Sequence, residues 1–149
     1  MMKKSLTSAL CLGVLALGGC SFNPATQSYV GAIPEANAAL SNAVSLQIAD
    51  YVASQLAPAQ TTLYVAPAVD REQSSSITSD IETALKDKGF AISNQQTKTA
   101  HVVTYTITAL DSPGVFVRLR VDGHEATSWL GKSKTGLWSS VGGFTVKEQ

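Results

Sequence analysis

Residues 101–110, HVVTYTITAL, and residues 115–121, VFVRLRV, give the clearest indication of how this chain folds, because both alternate apolar and polar side chains. A period of two is typical of a strand with one buried face. Asp122-Gly123 follows at once and is a strong signal for a two-residue hairpin turn. It predicts that the chain returns antiparallel from His124 to Leu130. These three strands are expected to form the centre of a mostly antiparallel sheet.

Two other segments show the period of a helix. Apolar side chains recur every three or four residues in Glu35–Leu56, and they do so again in Ile77–Lys88. Pro58 ends the first segment, and Gly89 stands just past the second, where helices favour glycine. The polar loop Asp70–Ser76 offers serines that would cap the second helix.

Shorter apolar segments at 61–67, 90–92 and 144–147 predict three more strands, and the glycine- and serine-containing stretch up to residue 143 is expected to be a loop. Helices and antiparallel strands are thus segregated along the chain, which favours an α+β fold. We predict one small two-layer domain over residues 35–149, with a mostly antiparallel sheet and two helices on one of its faces.

The N-terminus has the layout of a secretory signal peptide. Two lysines precede an apolar stretch, Leu6–Leu17, and the sequence Leu17-Gly18-Gly19-Cys20 ends it. A cysteine at this point is typical of a bacterial lipoprotein signal, in which the thiol is acylated and the chain is cut before it. A transmembrane helix is the alternative, but Ser5–Gly19 is shorter than the roughly 20 apolar residues that a span needs. We therefore predict a signal peptide over residues 1–19 and lipidation of Cys20.

The residues after this cysteine predict where the protein is held. Ser21 stands where an inner-membrane retention signal usually has aspartate, so we expect the outer membrane, with the domain facing the periplasm. Residues 20–34 lack charge, contain two prolines and have no regular period, which is typical of an extended tether. Phe22, Tyr29 and Ile33 would contact a partner there, by strand addition for example. The alternative is a flexible linker whose apolar residues have no binding role.

The charge balance excludes one class of partner. The full chain carries 11 basic and 11 acidic side chains, and loss of two lysines with the signal peptide would leave an acidic excess. A nucleic-acid-binding domain normally carries a basic surplus, so we expect no nucleic-acid partner. Cys11 would be lost with the signal peptide, so the mature chain would form no disulfide and would depend on its apolar core.

Residue types that support catalysis or bind metals are present without the arrangement that either function needs. Ser74, Ser75 and Ser76 precede a helix, but no nucleophile elbow surrounds them. His101 and His124 stand at the edges of predicted strands, and no mature cysteine is free to complete a zinc site. We predict no catalytic residue, no metal and no cofactor.

Two candidate contact surfaces remain. Arg118 and Arg120 share the outer side of one predicted strand, where they would meet an acidic partner surface or the carboxylates of peptidoglycan. The alternative is an ordinary solvated sheet face. Trp129 and Trp138, near Tyr64, would form a platform for stacking sugars, or else pack in the core or at its rim.

The order of these segments resembles the TrbH family. A lipoprotein signal and a short polar tether are followed by ADYVASQLAP at 49–58, TTLYVAP at 61–67, KDKGFAI at 86–92 and VFVRLRVDG at 115–123. TrbH proteins are lipoproteins of conjugal transfer, or type IV secretion, systems. The resemblance implies a structural role without catalytic residues, and only Cys20 and the sorting residue Ser21 carry over as site residues.

We therefore expect a non-enzymatic outer-membrane lipoprotein that anchors or stabilises the core complex of a conjugative type IV secretion channel. Its partners would be membrane lipid, through acylated Cys20, and the other core-complex subunits, with a homo-oligomeric ring as one arrangement. Two alternatives stay open at this point. One is a periplasmic lipoprotein that binds peptidoglycan or a small ligand, and the other is a cell-wall hydrolase.

Overall fold

The computed structural model describes residues 27–33, 37–69, 72–111 and 113–146, without the side chains of residues 72–75. Nine strands and two α-helices lie in these ranges. The strands are β1 (Ser28–Val30), β2 (Thr62–Val65), β3 (Ala68–Val69), β4 (Ala91–Ile92), β5 (His101–Ala109), β6 (Gly114–Val121), β7 (His124–Lys132), β8 (Trp138–Ser140) and β9 (Thr145–Val146). The helices are α1 (Ala38–Gln55), which a short 3-10 turn follows, and α2 (Glu72–Asp87).

The alternating segments form the three longest strands, β5, β6 and β7. β5 is antiparallel to β6 with Thr106 opposite Arg118, and β6 is antiparallel to β7 with Arg118 opposite Thr127. Asp122 and Gly123, between β6 and β7, both have positive φ, 50° and 87°, as the tightest hairpin turns require. The predicted hairpin and the predicted α+β class are confirmed.

Both helices cover one face of this sheet, which we call the inner face; the opposite face is the outer face. α1 begins after Asn37, whose Oδ1 accepts a hydrogen bond from the Leu40 amide at 2.9 Å and so satisfies one free amide of the helix start. The predicted glycine after α2 is confirmed, since Gly89 has a φ of 94° and the Phe90 amide donates to the Leu85 carbonyl at 3.1 Å. The core between helices and sheet includes Leu40, Val44, Ile48, Ile81, Leu85, Val103, Tyr105, Ile107, Val117 and Leu119.

Tyr105 is the one large polar side chain among these core residues. It is 1% exposed, and its hydroxyl lies 2.6 Å from Oγ1 of Thr78 on α2. Burial raises the pKa of this hydroxyl to about 12, because a phenolate would lose its hydration here. The hydrogen bond with Thr78 opposes that rise in part, and the nearby charge of Glu82 adds to it. The hydroxyl is therefore neutral at physiological pH and joins the core to α2.

The first strand differs from the predicted tether. β1 lies inside the sheet, parallel to β3 on one side and to β5 on the other, with Tyr29 opposite Thr106. Val30 and Ile33 are buried in the core. The part of the tether that the structure describes, residues 27–33, thus belongs to the fold, and the domain begins several residues before the predicted position 35.

A gap along β5 explains this difference. β2 pairs with only the first part of β5, where Val65 lies opposite Val103, and the chain leaves β5 after Ala66. β1 fills the edge that β2 leaves open. At the point along β5 where its neighbour changes from β2 to β1, Ser28 Oγ accepts a hydrogen bond from the Tyr105 amide at 3.1 Å. An open edge inside a sheet would leave buried amide and carbonyl groups unpaired, which is costly. The segment therefore adds a strand to its own domain.

Two boundaries in the rest of the chain also differ. α2 begins at Glu72, so Ser74–Ser76 lie within the helix, and the prediction that they form a capping loop is wrong. Ile77 and Ile81 hold this helix against the core, and such packing outweighs the modest helix propensity of serine. β8 occupies part of the stretch that was expected to be a loop, because it pairs with the end of β7.

Candidate partner-binding surface

The outer face carries the exposed candidates for function. Alternation along a strand directs every second side chain of β6 and β7 to this face, away from both helices. The side chains that share it on these two strands are Phe116, Arg118, Arg120, Glu125, Thr127 and Trp129.

Two arginines share one carboxylate on the outer face. Arg120 donates to Glu125 Oε2 from its Nε at 2.9 Å and from a terminal nitrogen at 2.6 Å. Nε of Arg118 lies 3.7 Å from Glu125 Oε1, and this buried nitrogen has no hydrogen-bond partner. The arginine cluster, as we call these three residues, keeps a net positive charge. The structure thus places both arginines on one face, as the strand pattern predicts; their contact with a partner stays a prediction.

A recess opens beside this cluster, and we call it the tryptophan recess. It is open to solvent and has a volume of about 290 Å³. Trp129 forms one of its walls, with the indole Nε1 donating to the Val141 carbonyl at 3.1 Å and the Val141 amide donating to the Trp129 carbonyl at 3.0 Å. Both side chains are half exposed, at 49% and 53%. The lining residues are Phe116, Thr127, Ser128, Trp129, Val141, Gly142, Gly143 and Thr145.

Sequence reasoning missed this recess. β8 and β9 both pair with β7, and the chain between them turns away from β7 at Gly142 and Gly143. Both glycines have positive φ, 98° and 72°, which other residues adopt only with strain. A pair of glycines between two short apolar segments was the available signal, but it does not reveal that both segments return to the same strand.

The two tryptophans do not form a shared platform. Trp138 lies opposite Lys132 in the ladder, which is three positions from Trp129 along β7, so the two rings fall on opposite faces. Trp138 packs against the core, with Nζ of Lys132 5.9 Å from its ring centre. Tyr64 is on β2, three strands away from β7. The sugar-stacking platform is therefore wrong, and the alternative prediction of packing against the core is confirmed for Trp138.

The N-terminal candidates divide into two groups. Cys20, Ser21 and Phe22 lie outside the described residues, as does the predicted signal peptide, so their roles stay predictions. Tyr29 is half-buried within the sheet, and Ile33 is 5% exposed in the core. A partner contact at Ile33 is not compatible with this fold, because its side chain is already buried by the domain itself.

The histidines have structural surroundings. His101 Nδ1 lies 2.5 Å from Oδ2 of Asp122, and the other oxygen of that carboxylate accepts from the Val102 amide at 2.9 Å. His124 is exposed at the hairpin. Across residues 27–33, 37–69, 72–111 and 113–146, no group of three histidine, cysteine or acidic residues gathers as a metal site would require. Within the same ranges, neither helix is long and apolar enough to cross a membrane.

Comparison with known protein families gives a match over most of the chain. The model of a family described as conjugal transfer protein TrbH matches residues 23–139. This range contains β1, both helices, the arginine cluster and Trp129, and it ends within β8. No curated protein and no solved structure is significantly similar to the chain.

Proposed function

The chain belongs to the TrbH family of conjugal transfer proteins, and from this premise we propose that it is a lipid-anchored structural subunit of the conjugation channel at the outer membrane. Family membership gives the role in conjugal transfer. The anchor is supported by Leu17-Gly18-Gly19-Cys20, which has the form of a lipoprotein signal, and by the start of the folded domain only a few residues later, at β1.

The outer face supports a role in protein contact. Tryptophan and arginine are the residue types that most often dominate the energy of protein interfaces. Here Trp129 and Arg118 lie on one open face of a rigid sheet, each about half exposed. A channel subunit that holds others in place needs such a surface and needs no catalytic group. We therefore propose that the protein is not an enzyme and that this face meets other core-complex subunits.

Replacement of the proposed lipid site tests the anchor. With Cys20→Ser, we expect the protein to lose incorporated radiolabelled palmitate, to leave the outer-membrane fraction, and to lower mating efficiency in a strain that lacks the wild-type copy. Cys11→Ser is the matched control, since it changes the other cysteine of the chain, and it should leave all three measurements unchanged. Normal fractionation and normal mating with Cys20→Ser would disprove the anchoring role.

A second substitution tests the membrane to which the protein is sorted. Ser21→Asp should keep the lipid label but move the protein to the inner-membrane fraction on a sucrose gradient. Ser21→Ala is its control and should stay in the outer-membrane fraction. If Ser21→Asp fractionates like Ser21→Ala, residue 21 does not direct the proposed outer-membrane location.

A further inference from the structure

The tryptophan recess is preformed, because backbone and side-chain bonds fix its walls. The paired hydrogen bonds between Trp129 and Val141 hold the indole ring and the loop to each other. The Gly143 amide donates to Ser140 Oγ at 3.1 Å, which fixes the other end of that loop. A site that is rigid before binding loses little conformational entropy when a ligand enters.

The loop that lines the recess faces open space at Gly142 and Gly143. A Cβ atom added to Gly142 or to Gly143 would meet no other atom within 4 Å. The backbone of a ligand therefore has room to lie against this loop. The apolar walls are Phe116, Trp129 and Val141, and these would bury an apolar side chain of the ligand.

The arginine cluster adds a charge preference at one end of the recess. Arg118 is two residues from Phe116 on β6 and lies opposite Thr127 on β7, and both of these residues line the recess. The Arg118 side chain is 43% exposed, and its Nε makes only a 3.7 Å ion pair with Glu125 and no hydrogen bond. Glu125 already accepts two hydrogen bonds from Arg120. An acidic group that met the exposed part of this guanidinium would give Arg118 a second and closer ion pair.

We propose that the tryptophan recess and Arg118 together bind an extended peptide segment of a partner protein, with an apolar side chain in the recess and an acidic side chain two residues away. Two residues of extended chain span about 7 Å, the same separation as that of Phe116 from Arg118 along β6. This inference rests on the proposed function in taking the partner to be a protein subunit of the channel.

The chemistry of the walls favours a peptide over a glycan. The polar side chains that face the recess are the hydroxyls of Thr127 and Thr145, since the Ser128 hydroxyl accepts a hydrogen bond from Gln47 of α1 on the inner face. Recognition of a sugar needs several directed hydrogen bonds to its hydroxyls, and neither a carboxylate nor an amide side chain lines this recess to accept or donate them. An aromatic-lined groove suits a proline or an aliphatic side chain of an extended segment.

Site-specific photocrosslinking in the donor cell tests this proposal. A benzophenone amino acid replaces Thr145, which lines the recess, and in a control strain it replaces Leu46, which is 47% exposed on α1. We expect the Thr145 position to capture one protein segment in which an apolar and an acidic residue stand two positions apart, and the Leu46 position not to capture it. Capture of cell-wall glycan, of a segment without an acidic residue, or of the same segment from both positions would overturn the proposal.

A binding measurement on the purified full-length protein provides the second test. Trp138→Phe leaves Trp129 as the single tryptophan, and its fluorescence reports on the recess. We expect acetyl-Pro-Ala-Glu-amide to bind about tenfold more tightly than acetyl-Pro-Ala-Gln-amide, because only the first completes an ion pair. Arg118→Gln should abolish this difference, and a melting curve of each variant verifies that it folds. Equal binding of the two peptides, or binding of a chitin trisaccharide alone, would overturn the proposal.

The same variants separate this proposal from the proposed function. Trp129→Ser should lose the crosslink from Thr145 while it keeps the lipid label and the outer-membrane position that Cys20→Ser removes. If Trp129→Ser keeps the crosslink, the recess is not the site, whether or not the protein is anchored as proposed. If the crosslink is lost as expected but Cys20→Ser stays in the membrane, the anchor fails and the recess stands.

Discussion

The two faces of β6 have opposite properties although their residues alternate along a single strand. Toward the helices, Val115, Val117 and Leu119 are each 0% exposed. Toward the open side, Arg118 has a side chain that is 43% exposed and a guanidinium that is incompletely paired. The inner face therefore determines the stability of the domain, while the outer face leaves Arg118 exposed where we propose that a partner binds. Substitutions of neighbouring residues should separate these two roles.

The largest effect is expected at Leu119 on the inner face. Leu119→Ala removes a fully buried side chain from the middle of the sheet, and such changes cost about 2–5 kcal/mol of unfolding free energy. Arg118→Ala, one residue away on the outer face, should cost less than about 1 kcal/mol. Urea denaturation followed by circular dichroism measures both. Equal losses would mean that the outer face is part of the core.

The next effect is the loss of stability of the wild-type protein at high pH through Tyr105. Its pKa is raised by burial to about 12 in the folded state, from an ordinary value of 10. The stabilisation is therefore fully present below pH 10 and is lost as the pH rises toward 12, since the unfolded chain releases this proton first. The loss should be roughly 2–3 kcal/mol.

Tyr105→Phe isolates this contribution, because it keeps the ring and removes the titrating hydroxyl. At pH 7 the variant should be about 1 kcal/mol less stable, since Thr78 loses its hydrogen bond. Between pH 10 and pH 12 its unfolding free energy should fall less steeply than that of the wild type. Identical slopes for the two proteins would show that Tyr105 is not the group responsible.

A smaller effect is expected where β1 joins the sheet. Ser28→Ala leaves the Tyr105 amide without its acceptor, and an unsatisfied buried donor costs about 1–3 kcal/mol. Hydrogen exchange at the Tyr105 and Gly31 amides should accelerate in this variant. Gln27→Ala is the neighbouring control, and because Gln27 is exposed it should change neither stability nor exchange.

The smallest effect on stability belongs to the arginine cluster. Glu125→Gln removes the one carboxylate between Arg118 and Arg120, and the two guanidiniums then repel each other. We expect a loss of about 1 kcal/mol at low salt that shrinks as ionic strength rises. Asp50→Asn breaks the exposed pair with Lys88 and should cost less. A loss at Glu125 that salt leaves unchanged would argue for packing instead of charge.

The sequence predicts the centre of this molecule well because its signals are local. The alternation in β5 and β6 assigns each side chain to a face without knowledge of any partner strand. Arg118 and Arg120 are two positions apart and alternate with buried residues, so both are assigned to the outer face. The turn at Asp122-Gly123 and the end of α2 at Gly89 follow from backbone conformations that few residues adopt.

The parts that the sequence does not predict depend on distant segments. β1 has three residues and no visible period, and it forms only because β2 leaves part of β5 unpaired. The tryptophan recess likewise requires that β8 and β9 both return to β7, which nothing near Trp129 indicates. The sequence therefore misses the tryptophan recess, because the recess is formed by pairing between strands that are separate in the sequence.

The insertion of β1 also limits how far the domain can travel from a membrane. Only seven residues, 21–27, separate Cys20 from β1, and at about 3.5 Å each they reach at most about 25 Å. A free segment up to residue 34 would reach about twice as far. With a lipid on Cys20, the domain would diffuse almost in two dimensions. It would be confined to a layer that is thinner than the bilayer itself. Partners in that layer would meet it at a high effective concentration, and those farther into the periplasm would have to extend toward the membrane to meet it.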